Sequence, residues 1–173
     1  MTALRTAADL MALAARTAPK AAGKDFIVVE VLEGEAIQQL GKAMVEHARK
    51  TRKAAFDRDG DNVQHSEAVV LIGLKDADVA DLNCAACGAE SCIVPNTYEG
   101  EFKGPNCALR LLDMGIALGS AVKMASMLNV DNRIMYRVGV VARELGLIDA
   151  DFVMGIPLSA TGKSIYYDRK PVS

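Results

Sequence analysis

Four cysteines carry most of the chemistry this chain could do: Cys84, Cys87, Cys92 and Cys107, separated by two, four and fourteen residues. No other cysteine occurs in the 173 residues. Thiolate sulfur is a soft, electron-rich donor suited to iron in an iron–sulfur cluster. A gap of two lets neighbouring thiolates reach adjacent irons of a compact cube. Ala85, Ala86, Gly88, Ala89 and Ser91 are small, which lets backbone N–H groups approach the cluster sulfurs and tune the potential. Cys107 follows Pro105 and opens a predicted helix, whose N-terminus favours a thiolate. The expected group is one cluster, of 4Fe–4S type. Zinc is the alternative, although structural zinc usually pairs two C-x2-C knuckles and this chain has one.

The elements that must position these cysteines follow from hydrophobic spacing. Leu4, Ala7, Ala8 and Met11 recur at helical intervals, so residues 3–17 read as an amphipathic helix. Pro19 and Gly23 stop it. A buried strand is expected over 26–32. A helix follows over 35–53, with Ile37, Leu40, Met44, Val45 and Ala48 inward. A second buried strand is expected over 68–74. The cysteine segment, rich in Gly, Asn and Pro, reads as loop. Residues 106–128 form the longest predicted helix, with Leu109, Leu112, Ile116, Met124 and Leu128 on one face. Gly115 and Gly119, four apart, leave a bare strip for another backbone or a flat ligand. A helix over about 132–145 and an extended run over 152–158 complete the chain. The mixture implies an α+β or α/β sandwich, read as a single domain over 1–173.

Composition narrows the function. Twenty basic and 22 acidic residues give a formal charge of −2, and no basic–aromatic interleaving suggests nucleic acid. Trp is absent and aromatics are few, so the core must be aliphatic. Arg5, Asp9 and Arg16 interrupt the apolar N-terminal pattern, and Arg110, Asp113 and Lys123 interrupt the apolar stretch 104–130. Neither suits a signal peptide or a membrane span. A cytoplasmic location is expected, and there disulfides are out of place.

The cysteine run Asn83-Cys-Ala-Ala-Cys-Gly-Ala-Glu-Ser-Cys92 with a distant Cys107 resembles the four-cysteine 4Fe–4S domain found in Rnf-type electron-transport complexes and in corrinoid iron–sulfur proteins. That likeness covers residues 83–107 and departs from the pattern in placing Pro105 before the last cysteine, where the family puts proline after it. Over the whole chain, Ala15-Arg-Thr-Ala-Pro-Lys-Ala-Ala-Gly23, the cysteine segment and Gly155-Ile-Pro-Leu-Ser159 resemble a prokaryotic family of ferredoxin-domain-containing proteins.

The order of elements also resembles the nitroreductases, which bind FMN. Ala18-Pro19-Lys20 stands where that family joins its first helix to its first strand, with Lys20 in place of serine. Met114-Gly-Ile-Ala-Leu-Gly-Ser120 resembles its glycine-rich helix, and Gly155-Ile156-Pro157 its strand end. The family's N-terminal Arg-Arg-Ser segment is missing. The resemblance implies a nitroreductase-like sheet-and-helix sandwich with an inserted cysteine loop. It implies an FMN pocket where Pro19, Lys20, Gly119, Gly155 and Pro157 converge, with Lys163 or Arg169 at the phosphate. It also implies a homodimer with the flavin at the interface, and the Met- and Ala-rich composition of the two longest helices suits packing between subunits.

Other motifs fail on spacing. Ala160-Thr-Gly-Lys-Ser164 lacks the four-residue gap and following helix of a phosphate-binding loop. Asp57-Arg-Asp-Gly-Asp-Asn62 has Asn62 and Ala68 where a calcium loop needs Gly and Glu, and reads as a polar turn. His47 and His65 read as exposed helix and loop positions. The expectation is an iron–sulfur oxidoreductase passing electrons between the cluster and a flavin, a small-molecule substrate or a redox partner protein. The alternative is a ferredoxin-like carrier or cluster-based sensor without catalysis.

Overall fold

The computed structural model describes residues 2–168; Arg169 lies outside them. Helix α1 (Ala3–Thr17) starts at Thr2, whose hydroxyl accepts the Arg5 N–H at 3.1 Å. A short 3-10 turn (Ala21–Gly23) leads to strand β1 (Ile27–Leu32) and helix α2 (Glu35–Thr51). Helix α3 (Phe56–Gln64) and strand β2 (Ala68–Leu74) follow. A long loop then holds only a small hairpin of two two-residue strands, β3 (Tyr98–Glu99) and β4 (Lys103–Gly104). Helix α4 (Ala108–Met127), β5 (Asp131–Asn132), α5 (Tyr136–Glu144) and β6 (Phe152–Ser159) end the described chain.

The main sheet is antiparallel in the order β1-β2-β6-β5. Helices cover both faces. Val70 and Ile72 of β2 meet Met11, Ala15, Ala117 and Ala121 of α1 and α4 on one side. Val69 and Leu71 meet Leu40, Met44, Val138 and Val141 of α2 and α5 on the other. This is why β2 reads as an unbroken apolar run: a strand covered on both faces has no polar side to alternate. Each fully buried Val, Leu or Ile stabilises the fold by about 1.5–3 kcal/mol. No helix among the described residues is long and apolar enough to cross a membrane.

Three expectations change. The stretch 57–62 is helical, because Phe56, Asp59, Gly60 and Val63 share one buried face. Asp59 is tolerated there because Arg58 at 2.7 Å and Arg137 at 2.9 Å pair with it. The helix expected from 132 begins at Tyr136, since Asp131 and Asn132 pair with β6 instead. The third concerns α4. Its expected apolar face points outward at Leu112 (60 % exposed) and Ile116 (46 %). The core side is built from Arg110, Asp113, Met114, Ala117, Ala121 and Ala125. Small alanines let α4 lie close to its neighbours, and the two charges pair with each other. In addition, His47 is largely covered, stacked on Phe56 with centroids 4.4 Å apart and 3.1 Å from Glu144. His65 is exposed, as expected.

Candidate metal centre and its surroundings

The loop between β2 and α4 has almost no apolar core of its own. From Asp81 to Glu90 no residue is buried. Buried charges outside the loop or at its ends hold it instead. Asp151, just before β6, accepts the Asp76 N–H at 2.6 Å and the Asn96 side-chain amide at 2.9 Å, and pairs with Lys103 at 3.2 Å. At the other end Arg110, 1 % exposed, donates to the Asp78 carbonyl at 3.2 Å and carboxylate at 2.9 Å. It also donates to the Ala21 carbonyl at 3.1 Å and to Asp113 at 3.2 Å. Asp113 in turn accepts the Ala21 N–H at 2.8 Å. The guanidinium lies over the Phe26 ring, 4.9 Å from its centroid. One buried pair thus ties α4, the cysteine loop and the Pro19–Gly23 turn together. A charge buried this fully is stable only when its partners are all in place.

Inside the loop the backbone turns sharply. Asp81, Asn83 and Ala85 have φ of 57°, 47° and 56°, and Gly88 has 87°. Asp, Asn and Gly tolerate this left-handed region best, and Gly88 closes its turn by donating to the Ala85 carbonyl at 2.9 Å. Asn83 and Cys92 bind each other reciprocally. The Cys92 N–H donates to Asn83 Oδ1 at 2.9 Å, and the Asn83 N–H donates to Cys92 Sγ at 3.4 Å.

These turns bring all four cysteines to the wall of one hollow, together with Val79, Leu82, Ile93 and Ala108. Cys84 and Cys87 are exposed; Cys92 and Cys107 are half-buried. Among the described residues, no three His, Cys, Asp or Glu side chains are gathered as a single metal ion would need. The four cysteines share the lining of the same hollow. Cys107 caps α4. Burial pushes its thiol up, but the N–H groups of Ala80, Leu109 and Arg110 and the Arg110 guanidinium outweigh that and leave it below its ordinary range. The donor set is four soft sulfurs with N–H groups already aimed at two of them, which fits an iron–sulfur cluster.

Several of the residues expected to surround a flavin are engaged in other contacts in the protomer. Lys20 is 7 % exposed and donates to the Ala15 carbonyl at 3.4 Å and to that of Arg16, closing the end of α1. Gly155 is packed under α5: a Cβ there would come within 2.2 Å of Val138. Pro157 is buried in β6 opposite Val69. Lys163 is exposed and pairs with Asp168 at 2.9 Å. Pro19 alone of this set lines an open groove, with Ala14, Ser120, Lys123 and Met127. Gly119 precedes the groove residue Ser120 in α4, and both Gly115 and Gly119 have open space where a Cβ would stand. Sequence reasoning missed Arg110, Asp113 and Asp151 as functional supports. The first two were visible as charges inside an apolar helix, a pattern that signals a paired buried site.

Residues 103–169 match the family described as "Uncharacterized protein containing a ferredoxin domain (DUF2148)". A protein from Archaeoglobus fulgidus, recorded as "Uncharacterized protein", is 50 % identical over 171 residues, covering 97 % of this chain and 92 % of its own. The fold is similar to that of the FMN-dependent nitroreductase NfnB from Mycobacterium smegmatis. The TM-score is 0.61 at 14 % identity, over 98 % of this chain and 84 % of that one. A nitroreductase with bound FMN from Desulfitobacterium hafniense gives 0.60 at 12 % identity, over 94 % and 80 %. One from Bacteroides fragilis gives 0.60 at 11 %, over 100 % and 84 %. The architecture is therefore α+β and nitroreductase-like, with the cysteine loop set between β2 and α4.

Proposed function

The chain belongs to the family of ferredoxin-domain-containing proteins, and on that footing we propose that it is a one-electron redox protein whose four cysteines hold a single 4Fe–4S cluster. The observation that carries this is the meeting of Cys84, Cys87, Cys92 and Cys107 on one hollow. A cluster bound there supplies one reversible electron per cycle. The protein residues fix its surroundings. The N–H groups of Ala80, Leu109 and Arg110 face Cys107, and that of Asn83 faces Cys92; such bonds stabilise the more negative state and raise the potential. Asp151 and Arg110 hold the loop's two ends against the sandwich. The test is a reductive titration of anaerobically purified protein with dithionite, followed by electron paramagnetic resonance. The proposal predicts uptake of about one electron per chain and a reduced-cluster signal. A colourless protein that takes up no electron overturns it.

A second reading adds a flavin as the electron's other station and makes the protein an oxidoreductase. It is favoured by the shared fold with FMN-binding nitroreductases and by the groove of Pro19, Ser120 and Lys123. Met127, 67 % exposed, lines that groove, and Leu13 at 58 % and Leu112 at 60 % are further outward apolar residues of α1 and α4. This face, not α2, suits a homodimer contact, because Ile37, Leu40 and Met44 of α2 are buried in the core. Titration of the cluster-replete protein with FMN, read by fluorescence quenching beside a mass measurement, tests both. Binding tighter than about 10 μM by a dimer, lost in Lys123→Glu, supports the flavin reading by removing a phosphate partner. A monomer without FMN affinity leaves the carrier.

A further inference from the structure

We propose that the cysteine face is a docking surface for a basic one-electron carrier protein, with contact centred on Leu82 and Val94. This rests on the cluster reading above and names the partner of that same site. Leu82 is 64 % exposed and Val94 72 %, two of the most exposed large apolar side chains in the described chain. They flank the ligands, Leu82 two residues before Cys84 and Val94 two after Cys92, and Leu82 lines the hollow itself. An exposed apolar patch rimmed by polar residues marks an interaction site.

Charge decides the kind of partner. Residues 75–107 hold six acidic groups against two basic ones. Both basic groups are neutralised, Lys75 by Asp149 and Lys103 by Asp151. Three of the acids are also spent, Asp78 on Lys24 and Arg110, Glu99 on Arg143, and Glu101 on Lys53. Asp76, Asp81 and Glu90 remain, all exposed and without an ion pair among the described residues. Over residues 75–107 the charges left without an ion pair are therefore all negative, and Leu82 and Val94 are exposed among them. A partner with the inverse pattern, basic rim and apolar middle, is steered to it and held at the short distance that electron transfer needs. In the step, one electron leaves the reduced cluster and enters the carrier's own metal or flavin centre; no proton or atom moves between them.

The experiment uses the reduced, cluster-replete protein and cytochrome c, a basic haem protein that accepts one electron. Cluster content is measured first: if iron and sulfide are absent, the underlying reading fails and this proposal with it. With the cluster present, the second-order rate in stopped flow should fall about tenfold between roughly 20 and 200 mM salt. Asp81→Asn with Glu90→Gln should slow it about three- to tenfold at low salt. Glu35→Gln with Glu46→Gln, the same change in net charge on α2, should leave it unaltered. With ferricyanide, an anionic acceptor, the loop double variant should be faster than wild type. If the loop variant does not retain its cluster, Asp76→Asn replaces it, with a slowing of about twofold. Equal rates for wild type, loop variant and α2 variant in intact proteins would overturn the docking proposal and leave the cluster reading standing. Dissociation of a dimer by the loop variant would also overturn it, by assigning this face to a second copy of the chain.

Discussion

Strand β2 buries all seven of its residues, while the loop that begins one residue later buries none between Asp81 and Glu90. The two regions are stabilised by different physics. The sandwich is held by apolar area removed from water on both faces of a sheet. The loop is held by a few buried charges at its ends, by the Asn83–Cys92 exchange within, and, on the reading proposed above, by a group that bonds to four of its side chains. Ordering a residue costs about 1–2 kcal/mol of backbone entropy. A segment with no buried apolar side chain cannot offset that by burial, so metal–thiolate bonds become part of its folding energy. On that reading, a stable scaffold beside a ligand-dependent loop would let the cluster be assembled or lost without unfolding the whole molecule.

The widest break between the two regions should come from the ligands. Replacing Cys84, Cys87, Cys92 or Cys107 singly by Ala should abolish or degrade the cluster. Amide exchange in residues 83–107 should then accelerate by orders of magnitude while β2 stays protected. Exchange mass spectrometry checks both halves, and equal loss of protection in β2 would show that the regions are not separable.

Arg110 is the place where the regions share a support, so its loss should affect both. Arg110→Met leaves Asp113 buried without its cation, and breaking such a pair costs about 3–5 kcal/mol. Thermal unfolding should shift down accordingly, and the cluster should bleach faster in air because Asp78 loses both bonds to Arg110 and, among the described residues, keeps only Lys24. A smaller effect confined to the sandwich is expected at Gly139. A Cβ there would come within 1.9 Å of the Val153 carbonyl, so Gly139→Ala forces α5 off β6. The cost should be about 1–3 kcal/mol in chemical denaturation, with iron content per folded chain unchanged.

The smallest effect is a titration. In cluster-free protein the Cys107 thiol lies below its ordinary value because the surrounding N–H groups and Arg110 outweigh burial. A depressed pKa means that the thiolate stabilises the fold at pH above the unfolded value of about 8.5, and that this contribution is lost as pH falls through the lower folded value. Alkylation of Cys107 with iodoacetamide, followed by peptide mapping, should therefore have its midpoint below that of the same cysteine in the denatured chain. A midpoint at or above that would contradict the local field assigned to the α4 N-terminus.

Much of this was legible in the residues. Strand β2 and helix α1 follow from apolar runs and helical spacing, which local pattern reports well. The cysteine spacing pointed to the one hollow that all four cysteines line, because thiolates have few other reasons to cluster. What was hidden depended on contacts distant in sequence. Helix α3 looked like a turn because Asp59 is polar, and only Arg137, far along the chain, makes its burial tolerable. The face of α4 was inverted because leucines on the outside outweigh alanines on the inside in any hydropathy reading, whereas close packing favours the alanines. Gly155 suggested a ligand, but the backbone position serves the approach of Val138. Lys20 suggested a phosphate contact, and its ammonium closes α1 instead.

The central question is what fills the hollow between Cys84, Cys87, Cys92 and Cys107. Chemical analysis of protein purified without oxygen, from cells supplied with ample iron and zinc, measures this directly. A 4Fe–4S centre predicts about four irons and four acid-labile sulfides per chain with little zinc. About one zinc per chain with no sulfide would contradict it.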